Sequence, residues 1–178
     1  LLVRFDGADP RKGFFSGYLK NQTETDQAWR GGWFHTGDAV RQDGDGILYF
    51  VDRIKNIIRR SGENIAAAEI EAVLQADERV AQAAVIAVED SLRQEEVMAC
   101  IRLAPEVAEG EETAHALQDL CLARLAYYKA PAYILFVDDL PTTGTQKVQK
   151  TKLFADDTDP RNVPGCFNLG ARKKRPKN

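Results

Sequence analysis

Material for disulfide chemistry is scarce: Cys100, Cys121 and Cys166 are the only cysteines in 178 residues and stand far apart. An odd, scattered set argues against both a disulfide framework and a zinc cage. Long apolar runs are missing as well, and no stretch approaches the ~20 residues that a membrane-spanning helix needs. The first residues, Leu1-Leu2-Val3-Arg4-Phe5-Asp6, lack an initiating methionine and the pattern of a secretory leader. Histidine is limited to His35 and His115, neither with ligand partners nearby in the sequence, so no metal site is expected in this chain. These absences lead to two expectations, a reducing cytoplasm and the interior of a longer chain. Strong net charge is also lacking. The formal value is −3, but Arg172, Lys173, Lys174, Arg175 and Lys177 all lie beyond the last acidic residue, Asp159, and removing those five cations leaves −8. A body of that sign is not a nucleic-acid surface.

What is present is a soluble-type composition, 44% hydrophobic with 29% charged residues, enough for one ordinary domain or a small domain with part of another. The first fifty residues read as β-rich: a strand-like start, the segment Gly31-Gly32-Trp33-Phe34-His35-Thr36-Gly37-Asp38, the turn Asp43-Gly44-Asp45-Gly46, and a strand from Ile47 to Val51. A cationic turn follows. Beyond it, Ile70, Val73 and Leu74 share one face of a helix ending near Asp77, and Val80–Val88 and Glu96–Leu103 read as strands. Thr113–Ala126 is a helix with one apolar stripe, and Tyr133–Val137 a third strand. The expected fold class is α+β. From Asp156 onward Asp, Thr, Pro, Asn and Gly dominate, which predicts a tail without regular structure.

Four stretches have the residue types for chemistry. Gly37 lets the backbone turn so that Asp38 presents a carboxylate suited to a ribose diol, although on these residues alone a turn aspartate satisfying local amides serves equally well. Asp52-Arg53-Ile54-Lys55 sets two cations on alternate residues, with Asp52 able to pair with one of them. In Arg59-Arg60-Ser61-Gly62-Glu63-Asn64, a glycine among polar residues lets a ligand pass close to the backbone. Finally, Pro141-Thr142-Thr143-Gly144-Thr145-Gln146-Lys147-Val148 puts one lysine on a small hydroxyl-rich loop. It is not a Walker A loop, because Gln146 and Val148 stand where that motif needs glycine and a hydroxyl residue.

Taken in order, these four stretches closely resemble the motifs of the adenylate-forming superfamily, which contains acyl-CoA synthetases, adenylation domains of peptide synthetases and firefly-type luciferases. The resemblance covers roughly residues 1–154. It implies a β-rich end of the large AMP-binding domain over 1–52, the small C-terminal α+β domain over 53–155, and a disordered basic tail over 156–178. It implies that Asp38 holds the ribose hydroxyls of ATP and the adenylate, that Arg53 contacts the nucleotide, and that Lys55 is the hinge on which the small domain turns. Gly62, with Ser61, would line the path of the CoA pantetheine, and Arg59 and Arg60 would meet CoA phosphates. Lys147 would serve adenylation, and Glu69 would be structural. Gln146 departs from the pattern, since glycine is common there. The implied activity is ATP-dependent, AMP-forming carboxylate–CoA ligation, with a carboxylic acid, ATP and CoA as partners and Mg2+ held by the missing upstream domain. The chain alone is expected to be inactive. A carrier-protein pantetheine as acceptor, or a non-enzymatic accessory module, are the alternatives.

Overall fold

The computed structural model describes residues 1–174, and they divide into two compact units, Leu1–Lys55 and Asn56 onward. The first unit holds two small antiparallel pairs and one short helix. Strand β1 (Leu2–Val3) pairs with β2 (Phe34–His35), and β3 (Asp38–Gln42) with β4 (Leu48–Arg53). Helix α1 (Gln22–Ala28) separates β1 from β2. All seven of its residues except Ala28 are polar, so no apolar stripe announces it. It forms because Asn21 caps it, its side chain accepting from the Glu24 amide at 3.1 Å, and because the buried Thr25 hydroxyl donates to the Asn21 carbonyl at 2.9 Å. Around Trp29, 4% exposed, an aromatic cluster gathers Phe14, Phe15, Tyr18 and Phe34 with ring centroids 5.0–5.9 Å apart. The β3–β4 turn is fastened by Asp43, whose carboxylate accepts from the Ile47 amide at 2.9 Å, the Asp45 amide at 3.0 Å and the Tyr49 hydroxyl at 2.9 Å. These bonds, the one from Ile47 foremost, hold its carboxyl below the ordinary value.

Among the described residues the second unit is a mixed sheet with two α-helices and three short 3-10 turns. Its elements are β5 (Ile57–Arg60), β6 (Glu63–Ala66), α2 (Ala67–Gln75), β7 (Val80–Asp90), β8 (Gln94–Leu103), α3 (Glu111–Arg124), β9 (Tyr133–Phe136) and β10 (Phe167–Asn168). Strand β8 is the hub. It runs antiparallel to β7 along its length and parallel to β9, to which α3 is the crossover, and it meets β5 at one pair, Arg60–Gln94. Its side chains alternate between two cores. Val97, Ala99 and Ile101 face α2 and α3, where Ile70, Leu74, Leu117 and Cys121 are fully buried, while Met98 and Cys100 face a second cluster with Ala84, Val88, Leu135 and Leu140. The buried positions of α3, Ala114, Leu117, Gln118 and Cys121, keep the i, i+3, i+4, i+7 spacing of one helical stripe. The architecture is α+β, as expected.

The C-terminal segment corrects the sequence-based expectation. Over residues 156–174 it is built into the domain rather than forming a disordered tail. Val163 and Cys166 pack on the second core, β10 adds an antiparallel edge to β9, and Leu169 enters the first core at 4% exposure. Gln118 donates its amide to the Pro131 carbonyl at 2.8 Å and the Leu169 carbonyl at 3.0 Å, and Arg172 pairs with Asp119 at 2.5 Å. Short, polar, turn-rich composition concealed this because the contacts are tertiary and the strand is two residues long. Arg175 and Lys177, also assigned to the tail, lie outside the described residues.

Candidate functional site

In the first unit the register of β3 against β4 sets Asp38 directly opposite Arg53. Gly37, at φ +76°, turns the chain into β3, and its carbonyl accepts from the Ile54 amide at 2.8 Å, closing the end of the hairpin. Arg53 Nε then reaches Asp38 Oδ1 at 2.9 Å, and its Nη1 donates to the Thr36 carbonyl at 3.0 Å. The Asp38 amide donates to the Thr36 hydroxyl at 3.1 Å. Arg53, one of the two cations that the sequence offers to Asp52, is thus held by Asp38 through cross-strand register. The buried Asp52 accepts from the Arg53 amide at 2.7 Å. Beside this pair is an open cleft of about 580 Å³, lined among others by Tyr18, Glu24, His35, Gly37, Arg53 and Lys55. Lys55 is exposed within a single 3-10 turn, Ile54–Asn56. His35 bonds the Arg30 carbonyl at 3.2 Å.

In the second unit Ser61 and Gly62 are the two central residues of the β5–β6 hairpin, with φ +50° and +86°. Two consecutive positive φ values define the mirror-image turn that matches the twist of paired strands. The glycine therefore sits at a hairpin tip and not at the entrance of a helix. Asn64 belongs to β6, and α2 starts at Ala67 without a side-chain cap. Among the described residues nothing lies within 4 Å of where a Gly62 Cβ would point, so a ligand can lie flat on this backbone.

The same hairpin rests on a buried charge cluster that sequence reasoning did not find. Arg60 Nε donates to both Glu96 oxygens at 2.9 and 2.8 Å, and Lys173 Nζ donates to Glu96 Oε1 at 2.6 Å. Burial pulls the Lys173 ammonium down to about 8, opposed by Glu96 and aided by Arg60 and Arg93. The available signal was the pair Glu95-Glu96 leading into the apolar run 97–101.

The Lys147 loop leaves the sheet after β9 and folds back on itself. Thr142 bridges Val148, the Thr143 amide donates to the Lys147 carbonyl at 2.8 Å, and the Thr143 hydroxyl accepts from the Lys147 amide at 3.1 Å. Gln146 takes φ +61°, the left-handed conformation natural to the glycine that is common at this place. Lys147 is exposed, and no ion pair joins its ammonium to another described residue. Lys150, three residues on, is tied to Glu71 at 2.7 Å, which anchors the base of the loop to α2. Glu69 on the same helix is bridged by Lys129 at 2.7 and 2.8 Å. Among the described residues no three His, Cys, Asp or Glu side chains are placed to hold a metal ion.

Comparison with known proteins bears directly on these motifs. The AMP-binding enzyme C-terminal domain matches residues 69–147. The chain is 42% identical over 137 residues to a 2-succinylbenzoate–CoA ligase of Geobacillus kaustophilus, covering 77% of this chain and 27% of that protein. It is 44% identical over 122 residues to the mitochondrial medium-chain acyl-CoA ligase ACSF2 of Danio rerio, covering 68% and 20%. Among solved structures it is similar to the o-succinylbenzoate CoA synthetase of Bacillus subtilis in complex with its acyl-adenylate intermediate, with a TM-score of 0.68, 34% identity, and 79% and 28% of the two chains covered. It is also similar to the amide bond synthetase McbA of Marinactinospora thermotolerans, with a TM-score of 0.65, 31% identity and coverage of 85% and 33%. The chain spans roughly a quarter of the length of the curated relatives it matches.

Proposed function

The chain belongs to the adenylate-forming enzymes, residues 69–147 being their AMP-binding enzyme C-terminal domain, and from that premise we propose that it is the C-terminal part of an ATP-dependent, AMP-forming carboxylate–CoA ligase. In the first half-reaction a carboxylate oxygen attacks the α-phosphorus of ATP, the α–β anhydride bond breaks, and pyrophosphate leaves with acyl-AMP formed. In the second, the CoA thiol loses its proton and attacks the acyl carbon, and AMP departs. Asp38 takes the ribose hydroxyls, and Arg53, held beside it at 2.9 Å, supplies positive charge toward the phosphate. Lys147 neutralises the charge that grows between carboxylate and α-phosphate. Ser61 and Gly62 give the thiol arm a backbone surface free of side chain, and Lys55 is the hinge between the two poses. The part of the large domain outside this chain positions ATP, Mg2+ and the acid, so the chain alone does not form adenylate.

The observation that carries the reading is Lys147: an exposed cation with no ion-pair partner among the described residues, on the returning arm of a loop whose base is fixed by Lys150 and Glu71. A free ammonium on an anchored arm is what delivery of charge to a separate site requires. The test joins the chain to an adenylate-forming large domain and follows carboxylate-dependent ATP–pyrophosphate exchange. Lys147→Ala abolishes exchange while thioester formation from preformed acyl-AMP continues; exchange that survives the substitution removes Lys147 from this role. The likeness to an amide bond synthetase favours a second reading, in which an amine consumes the acyl-AMP. Offering CoA, a pantetheinylated carrier protein and an amine side by side decides the acceptor.

A further inference from the structure

The β5–β6 hairpin has little ladder to hold its tip in place, because β5 meets β8 at the single pair Arg60–Gln94. Three other bonds do the holding. The Ser61 amide donates to the Arg93 carbonyl at 2.9 Å, the Arg59 amide donates to Glu95 Oε2 at 2.6 Å, and the Arg60 side chain is seated on Glu96. Glu96 is itself fixed from three directions. Its Oε1 accepts from Arg60 Nε, from the Val97 amide at 2.9 Å and from Lys173 Nζ at 2.6 Å, with the three side chains of the cluster 7%, 5% and 1% exposed for Arg60, Glu96 and Lys173. An Arg–Glu pair is already neutral. A second buried cation therefore adds desolvation cost without being needed for charge balance, and what it contributes is orientation: with Lys173 in place the carboxylate cannot rotate away from Arg60, the residue next to Ser61.

We infer that Lys173 is a positioning residue for the Ser61–Gly62 turn, and that the segment from Asp159 to Lys173 is the clasp that brings it there. The clasp has its own fastenings. Asp159 accepts from the Arg161 amide and guanidinium, Arg161 donates to the Glu89 carbonyl at 2.6 Å, β10 pairs with β9, and Leu169 is buried. Its last described turn thus delivers the ammonium to Glu96 from the far end of the chain, 77 residues away in sequence. The consequence for chemistry rests on the assignment of the turn to the thiol arm made above: the clasp governs the thioester half-reaction and leaves adenylation alone.

Two variants test this, Lys173→Met, which keeps an unbranched stem and removes the charge, and Lys173→Arg, which restores a donor cation. In the 178-residue chain, Lys173→Met speeds hydrogen exchange of the Ser61 amide by about tenfold, the scale of one charge-assisted hydrogen bond, while the β7 and β8 amides keep their protection. Lys173→Arg returns it toward the original rate. Unchanged Ser61 exchange in Lys173→Met overturns the inference, and so does a loss of protection spread evenly through the sheet, which marks a merely structural residue. With the large domain joined, the Met variant loses turnover at saturating CoA, and its ATP–pyrophosphate exchange is unaltered. A loosened turn with normal thioester turnover leaves the positioning role standing and overturns the thiol assignment. Loss of exchange together with thioester turnover overturns the restriction of the clasp to one half-reaction.

Discussion

At Gln146 the chain keeps a side chain where φ is +61°. The left-handed region costs an L residue roughly 1–2 kcal/mol relative to glycine, and the extra freedom of glycine in the unfolded chain takes back about 0.4–1 kcal/mol. Gln146→Gly is therefore expected to stabilise the protein by about 0–1.6 kcal/mol, read as a higher urea midpoint at unchanged slope, with Gln146→Ala giving no such gain. Gly62, at φ +86°, faces the same comparison from the other side. No atom of the described residues lies within 4 Å of an added Cβ, so Gly62→Ala costs about 1 kcal/mol through the backbone alone, and Gly62→Ser costs the same; a much larger loss for the bulkier side chain shows that crowding dominates. The Asp38–Arg53 pair separates stability from binding. Its side chains are 23% and 46% exposed, and exposed pairs contribute about 0–1 kcal/mol. Asp38→Asn thus leaves the melting temperature nearly where it was, while nucleotide affinity of the enzyme carrying the large domain, measured by calorimetry, falls at least about tenfold for the lost charged acceptor.

Among the elements, β7, β8 and β9 were legible as apolar runs of strand length, as strands buried on both faces read, and α3 by its i, i+3, i+4, i+7 stripe. Helix α1 was not, since its hold comes from the Asn21 cap and Thr25 rather than from an apolar face. The β5–β6 hairpin was hidden by the cationic pair Arg59-Arg60, which reads as a turn until Glu95 and Glu96 are seen beneath it. Of the candidate site, the motif residues were legible as residues, but their partners were not: Asp38 with Arg53 depends on register, and Glu96 with Lys173 on a contact between distant segments. The C-terminal segment is the element where the difference is testable. Leu169 is 4% exposed in the first core and its carbonyl accepts from the buried Gln118. Leu169→Ala is expected to destabilise the chain by about 2–5 kcal/mol, the range for emptying a packed leucine site, in a chemical denaturation curve. A change below about 0.5 kcal/mol, as at a surface position, returns the segment to the status of a tail.

For the whole molecule the buried titratable groups set how stability varies with pH, and the signs differ. Lys173 has its folded value lowered from 10.5 to about 8, so between those values the unfolded chain holds a proton that the folded chain has released, and stability rises with pH. The thiols of Cys100 and Cys121 act the other way. Burial pushes each from 9.0 up to about 12, so their contribution is complete below 9.0 and is lost as pH climbs toward 12. Each fully engaged group gives a slope of at most about 1.4 kcal/mol per pH unit, and above 9.0 the falling slopes of these two thiols, joined by Cys166, whose thiol burial also pushes up, oppose one rising slope. Stability is therefore expected to climb from about pH 8 to near 9.0 and to decline beyond. On the acid side, Asp77, held below its ordinary value of 3.8 chiefly by the Arg79 side chain, loses its contribution as pH falls through that lowered value. Urea denaturation at half-unit pH intervals checks the alkaline arm. Lys173→Met removes the climb between 8 and 9.0, and replacing both thiols with alanine, whatever the cavities cost at pH 7, flattens the decline. A curve that falls steadily from pH 8 in the unaltered chain shows that the folded Lys173 keeps an ordinary ammonium pKa, the pull of Glu96 then outweighing burial.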